Sequence, residues 1–224
     1  SRIVIRKISR GHTEMERLQV QKKGTQFKVL KTIGGSDANN LVLGTLAEWR
    51  KIVDDKMNGE TVDLSHVLPV QMGIVTEELN RKWFTKITGL SVTTHEDIFF
   101  NDKKPHAHAR VDGTINNEIV FEAKHTNPFK PIADQVAKYY GQLQHYMMVL
   151  NYDLAYLSIF VGNMNHHIFK IQKDKSYIND LEIVEKYLYD CIDSCNLPEP
   201  KFYDWFQNRR NTKLNIKEIT DEIS

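Results

Sequence analysis

Between residues 106 and 172 the hydrophobic pattern changes period twice, and this change constrains the fold more than any other feature of the chain. Residues 106–115 and 118–123 alternate with the two-residue period of strands, and Asn116-Asn117 between them has the chemistry of a tight hairpin turn. Over residues 133–150 the apolar positions Val136, Tyr140, Leu143, Met147 and Leu150 recur on one face of a buried helix. Residues 153–161 and 167–172 then read as strands again, with Gly162-Asn163 as the turn. Strands, a helix and further strands in this order predict an α/β domain whose mixed sheet is covered by helices.

The flanking segments extend the pattern. Residues 3–8 alternate like a short strand, and Ser36 and Asp37 follow Gly34-Gly35 as an N-cap follows a turn, starting a helix through about Leu43. Further helices are expected over 46–57, over 70–87 with Gly89 closing it, and over 176–195, ended by Pro198 and Pro200. A strand at 98–100 and a short aromatic helix around 202–206 before a polar tail complete the reading. No internal repeat or Pro/Gly/Ser-rich linker divides the sequence, so one domain over 1–224 is expected.

Composition limits the function classes. With 41% hydrophobic and 26% charged residues in 224, the chain suits a globular domain rather than a disordered or fibrous one. No apolar run approaches the length of a membrane span and residues 1–10 lack a signal-peptide core, so a soluble, cytoplasmic protein with no membrane partner is expected. Two cysteines, Cys191 and Cys195, are too few for a disulfide framework, a four-cysteine zinc site or an iron–sulfur cluster. The net charge of +1 hides an asymmetry: residues 1–31 hold nine Lys/Arg against two Glu, so the remainder is acidic. A basic segment leading an acidic body fits either a polyanionic partner or a solvated arm.

The sharpest chemical signal lies on the central hairpin. Val111-Asp112-Gly113 precedes the turn, and Glu122-Ala123-Lys124 ends the apolar run Ile119-Val120-Phe121. Alternation puts Glu122 and Lys124 on one face of their strand, where Asp112 from the paired strand approaches them. Two carboxylates and an ammonium then meet, equipment for a hard divalent cation beside a cationic donor. The tripeptide alone is weak, because Glu199-Pro200-Lys201, Asp54-Asp55-Lys56 and Asp102-Lys103-Lys104 have the same spacing; none of these ends an apolar strand opposite an Asp-Gly. The structural alternative is a surface cross-strand salt bridge. Glu77 on the 70–87 helix is a third candidate carboxylate, the alternative being a solvated glutamate beside Glu78. Gln142 and Gln144 flank the buried stripe of the 133–150 helix on opposite sides, so either can reach inward with its amide. His106 and His108 are expected to line the hairpin surface rather than a transition-metal site. Tyr139, Tyr140, Tyr146 and Trp83 read as core, and Trp205, Phe206, Arg209 and Arg210 as an aromatic anchor or a contact surface.

Gly34-Gly35-Ser36-Asp37, Gly73 to Glu77, Asp112-Gly113 with Glu122-Ala123-Lys124, and Gln142-Leu143-Gln144-His145 occur in that order. Over about residues 33–150 this set resembles the YqaJ/lambda-exonuclease family of viral recombinases, a branch of the PD-(D/E)XK nucleases with a restriction-endonuclease-like core. The resemblance implies a Mg2+-dependent exonuclease, with one or two ions per site and Mn2+ as a substitute, digesting linear double-stranded DNA from the 5′ end. It also implies a homotrimer ring, a single-strand annealing protein as partner, and the cytoplasm of a bacterial host as location. By position, Asp112 and Glu122 match the metal-binding carboxylates, Lys124 the motif lysine and Glu77 the helix glutamate. Gln144 matches the active-site glutamine best, with Gln142 close behind, and Ser36 matches a serine that contacts the 5′ phosphate. Lys130 stands where relatives carry a phosphate-binding arginine, and a lysine cannot make arginine's bidentate fork. For a second, upstream arginine the nearest basic residues are Lys28 and Lys31. The rival readings are a PD-(D/E)XK endonuclease and a DNA-binding recombination module without catalysis.

Overall fold

The computed structural model describes residues 18–22, 30–59 and 65–220; the strand expected over 3–8 and Lys28 lie outside them. In chain order the elements are β1 (Leu18–Lys22), α1 (Gly35–Ala38), α2 (Leu46–Asn58), α3 (Leu68–Thr88), β2 (Asp97–Asn101), β3 (His108–Ala109), β4 (Gly113–Ile115), β5 (Ile119–Thr126), α4 (Ile132–Leu150), β6 (Leu154–Val161), β7 (Asn165–Gln172), α5 (Lys175–Asp193), α6 (Pro200–Arg209) and β8 (Ile216–Glu218). They form a three-stranded sheet, β1-β2-β3, and a five-stranded sheet, β4-β5-β6-β7-β8. The larger sheet is mixed: β5 and β6 run parallel and its other pairs antiparallel. A parallel pair needs a crossover, and α4 supplies it.

Helices cover both faces of this sheet. On one, Phe84 of α3 packs with Phe121, Ala123, Tyr156 and Ile168. On the other, Val120, Ala155, Leu157, Ile159, Phe169 and Ile171 pack under α4 and α5. Strand alternation therefore puts Glu122, between Phe121 and Ala123, on the α4 face. The turn between β4 and β5 has Asn116 and Asn117 at φ 53° and 55°, the left-handed pair that a two-residue hairpin requires. Gly89 closes α3 at φ 72°. No helix among the described residues is long and apolar enough to cross a membrane.

Several sequence expectations are corrected. Residues 106–115 do not form one strand: β3 pairs with β2, β4 pairs with β5, and the chain leaves both sheets between them. Tyr146 of α4 donates to the Arg110 carbonyl at 2.6 Å, taking that group out of strand pairing. The first helix is a single turn with Gly34 rather than Ser36 as its N-cap, and two glycines permit its close packing on α4. A Cβ on Gly35 would lie 2.3 Å from the Tyr146 ring, and one on Gly141 would lie 2.5 Å from the Ala38 carbonyl. The polar tail contains β8, which extends the sheet from β7. His106 is buried rather than on the hairpin surface, 3.5 Å from Glu185, and half-buried His108 bonds to Thr32 Oγ1 at 2.9 Å. Tyr140 and Tyr146 are core, whereas Trp83 is 42% exposed. Phe206 is buried and Arg210 donates to the Val42 carbonyl, so the C-terminal aromatic helix anchors on α2 and the loop before it; Trp205, with Arg209 over its ring, faces outward.

Candidate active site

The site forms where β5 passes the break between β3 and β4. Asp112 stands at that break, and its Oδ2 accepts the Ala123 backbone N–H at 2.9 Å. Gly113 is needed beside it: a Cβ there would meet Val92 at 2.5 Å and the Thr93 carbonyl at 2.9 Å, and Thr93 bridges to Thr114. Glu122 is 1% exposed. Its Oε1 receives Lys124 Nζ at 2.5 Å and Gln142 Nε2 at 2.7 Å, while the buried Oε2 has no hydrogen-bond partner. Gln142 Nε2 also donates to Tyr146 Oη at 2.9 Å.

Electrostatics set the site apart from a salt bridge. Burial pushes the Glu122 carboxyl up to about 8, and Asp112 and Glu77 add repulsion that Lys124 only partly offsets. Burial alone would lower Lys124, but Glu122 and Asp112 outweigh it and hold the ammonium above its ordinary value, so Lys124 stays charged. Its side chain also lies over the Tyr139 ring, 5.1 Å from the centroid. Asp112, Glu122 and Glu77 thus come together with Lys124 and Arg81 as their cationic partners, and the buried Glu122 Oε2 has no hydrogen-bond partner. A buried carboxylate with a free oxygen beside Asp112 suits a divalent cation. Among the described residues no group of three or more His, Cys, Asp or Glu side chains is placed to hold a metal ion, so Glu77 does not join Asp112 and Glu122 as a third ligand.

The remaining predicted residues divide. Glu77 lines the same groove as Asp112 and Lys124, with Arg81 Nη1 at 3.0 Å from its Oε1. This groove, of about 740 Å³, also takes in Lys130 and Lys138, with Leu68, Met72 and Ile74 on its α3 wall. A smaller cleft of about 390 Å³ shares Glu77, Asp112 and Lys124 with it and adds Glu122, Arg81, Arg110, Gln142 and Tyr146. Gln144 is not at the site. Its Nε2 donates to the Gln172 carbonyl and its Oε1 accepts the Asp174 N–H, both at 2.9 Å, so its amide ties α4 to the β7–α5 junction. Ser36 is exposed on α1 between two anchors to α4, Gly35 beneath Tyr146 and Asn39 on Gln142. Lys31 is exposed and lines neither groove. Sequence reasoning passed over Asn39, Arg81, Arg110 and Lys138. Only the spacing of Arg81 one helical turn after Glu77 could have signalled one of them.

A family model for the YqaJ-like viral recombinase domain matches residues 18–153. The chain belongs to this family. Solved structures share the fold of this chain. One is the alkaline exonuclease LHK-Exo from Laribacter hongkongensis, at 14% identity and a TM-score of 0.62, covering 74% of this chain and 90% of that one. It has also been solved in complex with dAMP. A second is a phage-related exonuclease from Haemophilus somnus 129PT, at 13% identity and a TM-score of 0.56, covering 74% and 96%. No curated protein sequence matches the chain.

Proposed function

We propose that this YqaJ-like protein is a Mg2+-dependent exonuclease that degrades one strand of linear double-stranded DNA from the 5′ end, leaving 3′ single-stranded tails for recombination by annealing. The coarse part, a deoxyribonuclease of the phage exonuclease type, follows from family membership and the shared fold. The observation that supports metal-dependent cleavage is the convergence of Asp112, Lys124 and Gln142 on Glu122, whose second oxygen is buried without a donor. Polarity, the trimeric ring and an annealing partner rest on the family resemblance.

Asp112 and Glu122 would hold the cation, with Glu77 lining the same cleft. When bound, the metal neutralises carboxylates that would otherwise repel a phosphodiester and polarises the scissile phosphate. Lys124 remains an ammonium, so it orients and stabilises rather than accepting a proton. Gln142 steadies the carboxylate from the α4 side through its N–H. Lys130 and Lys138 offer phosphate contacts along the groove, whereas Ser36 lines neither groove and its role at the terminal 5′ phosphate rests on the family resemblance alone.

The test is Mg2+-dependent digestion of 5′-phosphorylated linear duplex, 5′-hydroxyl linear duplex and covalently closed circles, with Lys124→Ala in parallel. Loss of linear DNA from the phosphorylated end, intact circles and a loss of about a thousandfold in the variant are expected. Cutting of circles would make the protein an endonuclease. No cleavage with Mg2+ or Mn2+ would leave a binding module.

A further inference from the structure

We propose that Asn39 is a positioning residue that fixes which end of the Gln142 amide faces Glu122. The inference rests on the reading of Glu122 as a metal-site carboxylate.

An amide side chain can turn by half a rotation with little change of shape, exchanging a donor for an acceptor. Beside a carboxylate the two orientations are opposites: N–H attracts Glu122, whereas C=O repels it. Around Gln142 the orientation is determined by a group that cannot turn. The backbone N–H of Gln142 donates to Asn39 Oδ1 at 2.9 Å. With its oxygen so engaged, Asn39 presents Nδ2 to Gln142 Oε1, at 3.1 Å. Gln142 Oε1 is thereby held away from the site, and both hydrogens of Nε2 are directed at Glu122 Oε1 and Tyr146 Oη. Reversing Asn39 would set Nδ2 against the backbone N–H; reversing Gln142 would set oxygen against Glu122 and nitrogen against Asn39 Nδ2. Glu122 Oε1 then takes both donors, from Lys124 and Gln142, and Oε2 has no hydrogen-bond partner. The close approach that permits this comes from Gly141, whose hydrogen lets the Ala38–Asn39 backbone press against α4.

The test uses substitutions whose order separates positioning from packing. Asn39→Asp keeps the shape and the acceptor for the backbone N–H but replaces the donor, so Gln142 turns its carbonyl toward Glu122. Asn39→Ala removes the constraint and leaves Glu122 and Tyr146 to hold Nε2 unaided. The expected result is a fall in kcat of about tenfold for Asn39→Asp, the coupling typical of buried neighbours in one network, a smaller fall for Asn39→Ala, and little change in KM for DNA. A packing role predicts the reverse order, and that order would overturn the proposal. In a Gln142→Ala background Asn39→Asp should have no further effect; a persistent tenfold loss would mean that the added charge acts directly on the site. The Gln142 side-chain NH2 resonances of the metal-free protein provide a readout independent of catalysis. They should shift and exchange faster with solvent in Asn39→Asp, and unchanged resonances would overturn the proposal even in an active enzyme. If wild-type protein cleaves nothing while these resonances respond as expected, the nuclease reading fails and the positioning stands.

Discussion

Two glutamates flank α4 and are buried equally deeply, yet their surroundings push them in opposite directions. Glu122 on β5 faces Asp112 and Glu77 with one ammonium, and its carboxyl is pushed up to about 8. Glu185 on α5, 0% exposed, has His145 Nδ1 at 2.6 Å from Oε1 and His106 Nε2 at 3.5 Å from Oε2. Burial would raise Glu185 too, but these imidazoles outweigh it and hold the carboxyl below its ordinary range. His145 also bonds the His108 carbonyl through Nε2, so both its ring nitrogens face acceptors, and it is held charged above its ordinary value. Desolvation and the His145 cation push half-buried His108 down to about 3, so it stays neutral. Glu185 is held by the charged His145 imidazole of its own chain and belongs to the framework, whereas Glu122 stands among other carboxylates.

Breaking the framework pair should have the largest effect. Glu185→Ala leaves His145 charged and buried without its anion, at a cost of about 3–5 kcal/mol in urea unfolding. The double replacement Glu185→Leu with His145→Leu should recover most of that loss, since apolar groups then fill the space without an unpaired charge. If the double variant is no more stable than Glu185→Ala, the pair contributes through a wider network that includes His106 and His108.

The contrast sharpens with pH. Because Glu122 is raised from 4.5 to about 8, the folded metal-free protein holds a proton there that the unfolded chain has lost, and this group's contribution to stability falls as pH rises through that window. Glu185, lowered, makes stability fall as pH drops below the ordinary carboxylate range. His145, raised, contributes most below its ordinary value of 6.5, and that contribution is lost as pH rises through its folded value. Glu122→Gln removes only the first dependence. Relative to wild type it should gain about 4 kcal/mol between about pH 5 and about pH 9 in thermal or urea unfolding without metal. Mg2+ should stabilise wild type at the alkaline end and leave the variant unchanged. Equal pH profiles for the two proteins would show that Glu122 is ionised in the metal-free state.

The hairpin was legible because its information is local. Alternation, the Asn-Asn turn and the position of Asp112-Gly113 all lie within a few residues of the chemistry they specify. The break between β3 and β4 was hidden because its cause, the Tyr146 hydroxyl on the Arg110 carbonyl, comes from a helix that follows it in sequence. Asn39 was hidden for the same reason, its partner being 103 residues away. β8, three residues of ordinary polarity, offers no periodicity to detect and forms only because the edge of β7 receives it.

Gln142 and Gln144 are the closest test of that boundary, and the smallest expected effect lies there. Periodicity places both beside the buried stripe, so a sequence cannot say which faces the carboxylates; the sheet on one side and α5 on the other decide it. Gln144→Met leaves the Gln172 carbonyl and the Asp174 N–H without their partner, which should cost about 1–2 kcal/mol of stability. Its kcat at a temperature well below unfolding should equal that of wild type. Gln142→Met keeps a similar volume but withdraws the N–H from Glu122, so it should lower kcat several-fold while changing stability less than Gln144→Met does. Reversal of the two phenotypes would place the working amide on the other side of α4, and the site's contact with that helix would then run through the β7–α5 junction rather than through Asn39.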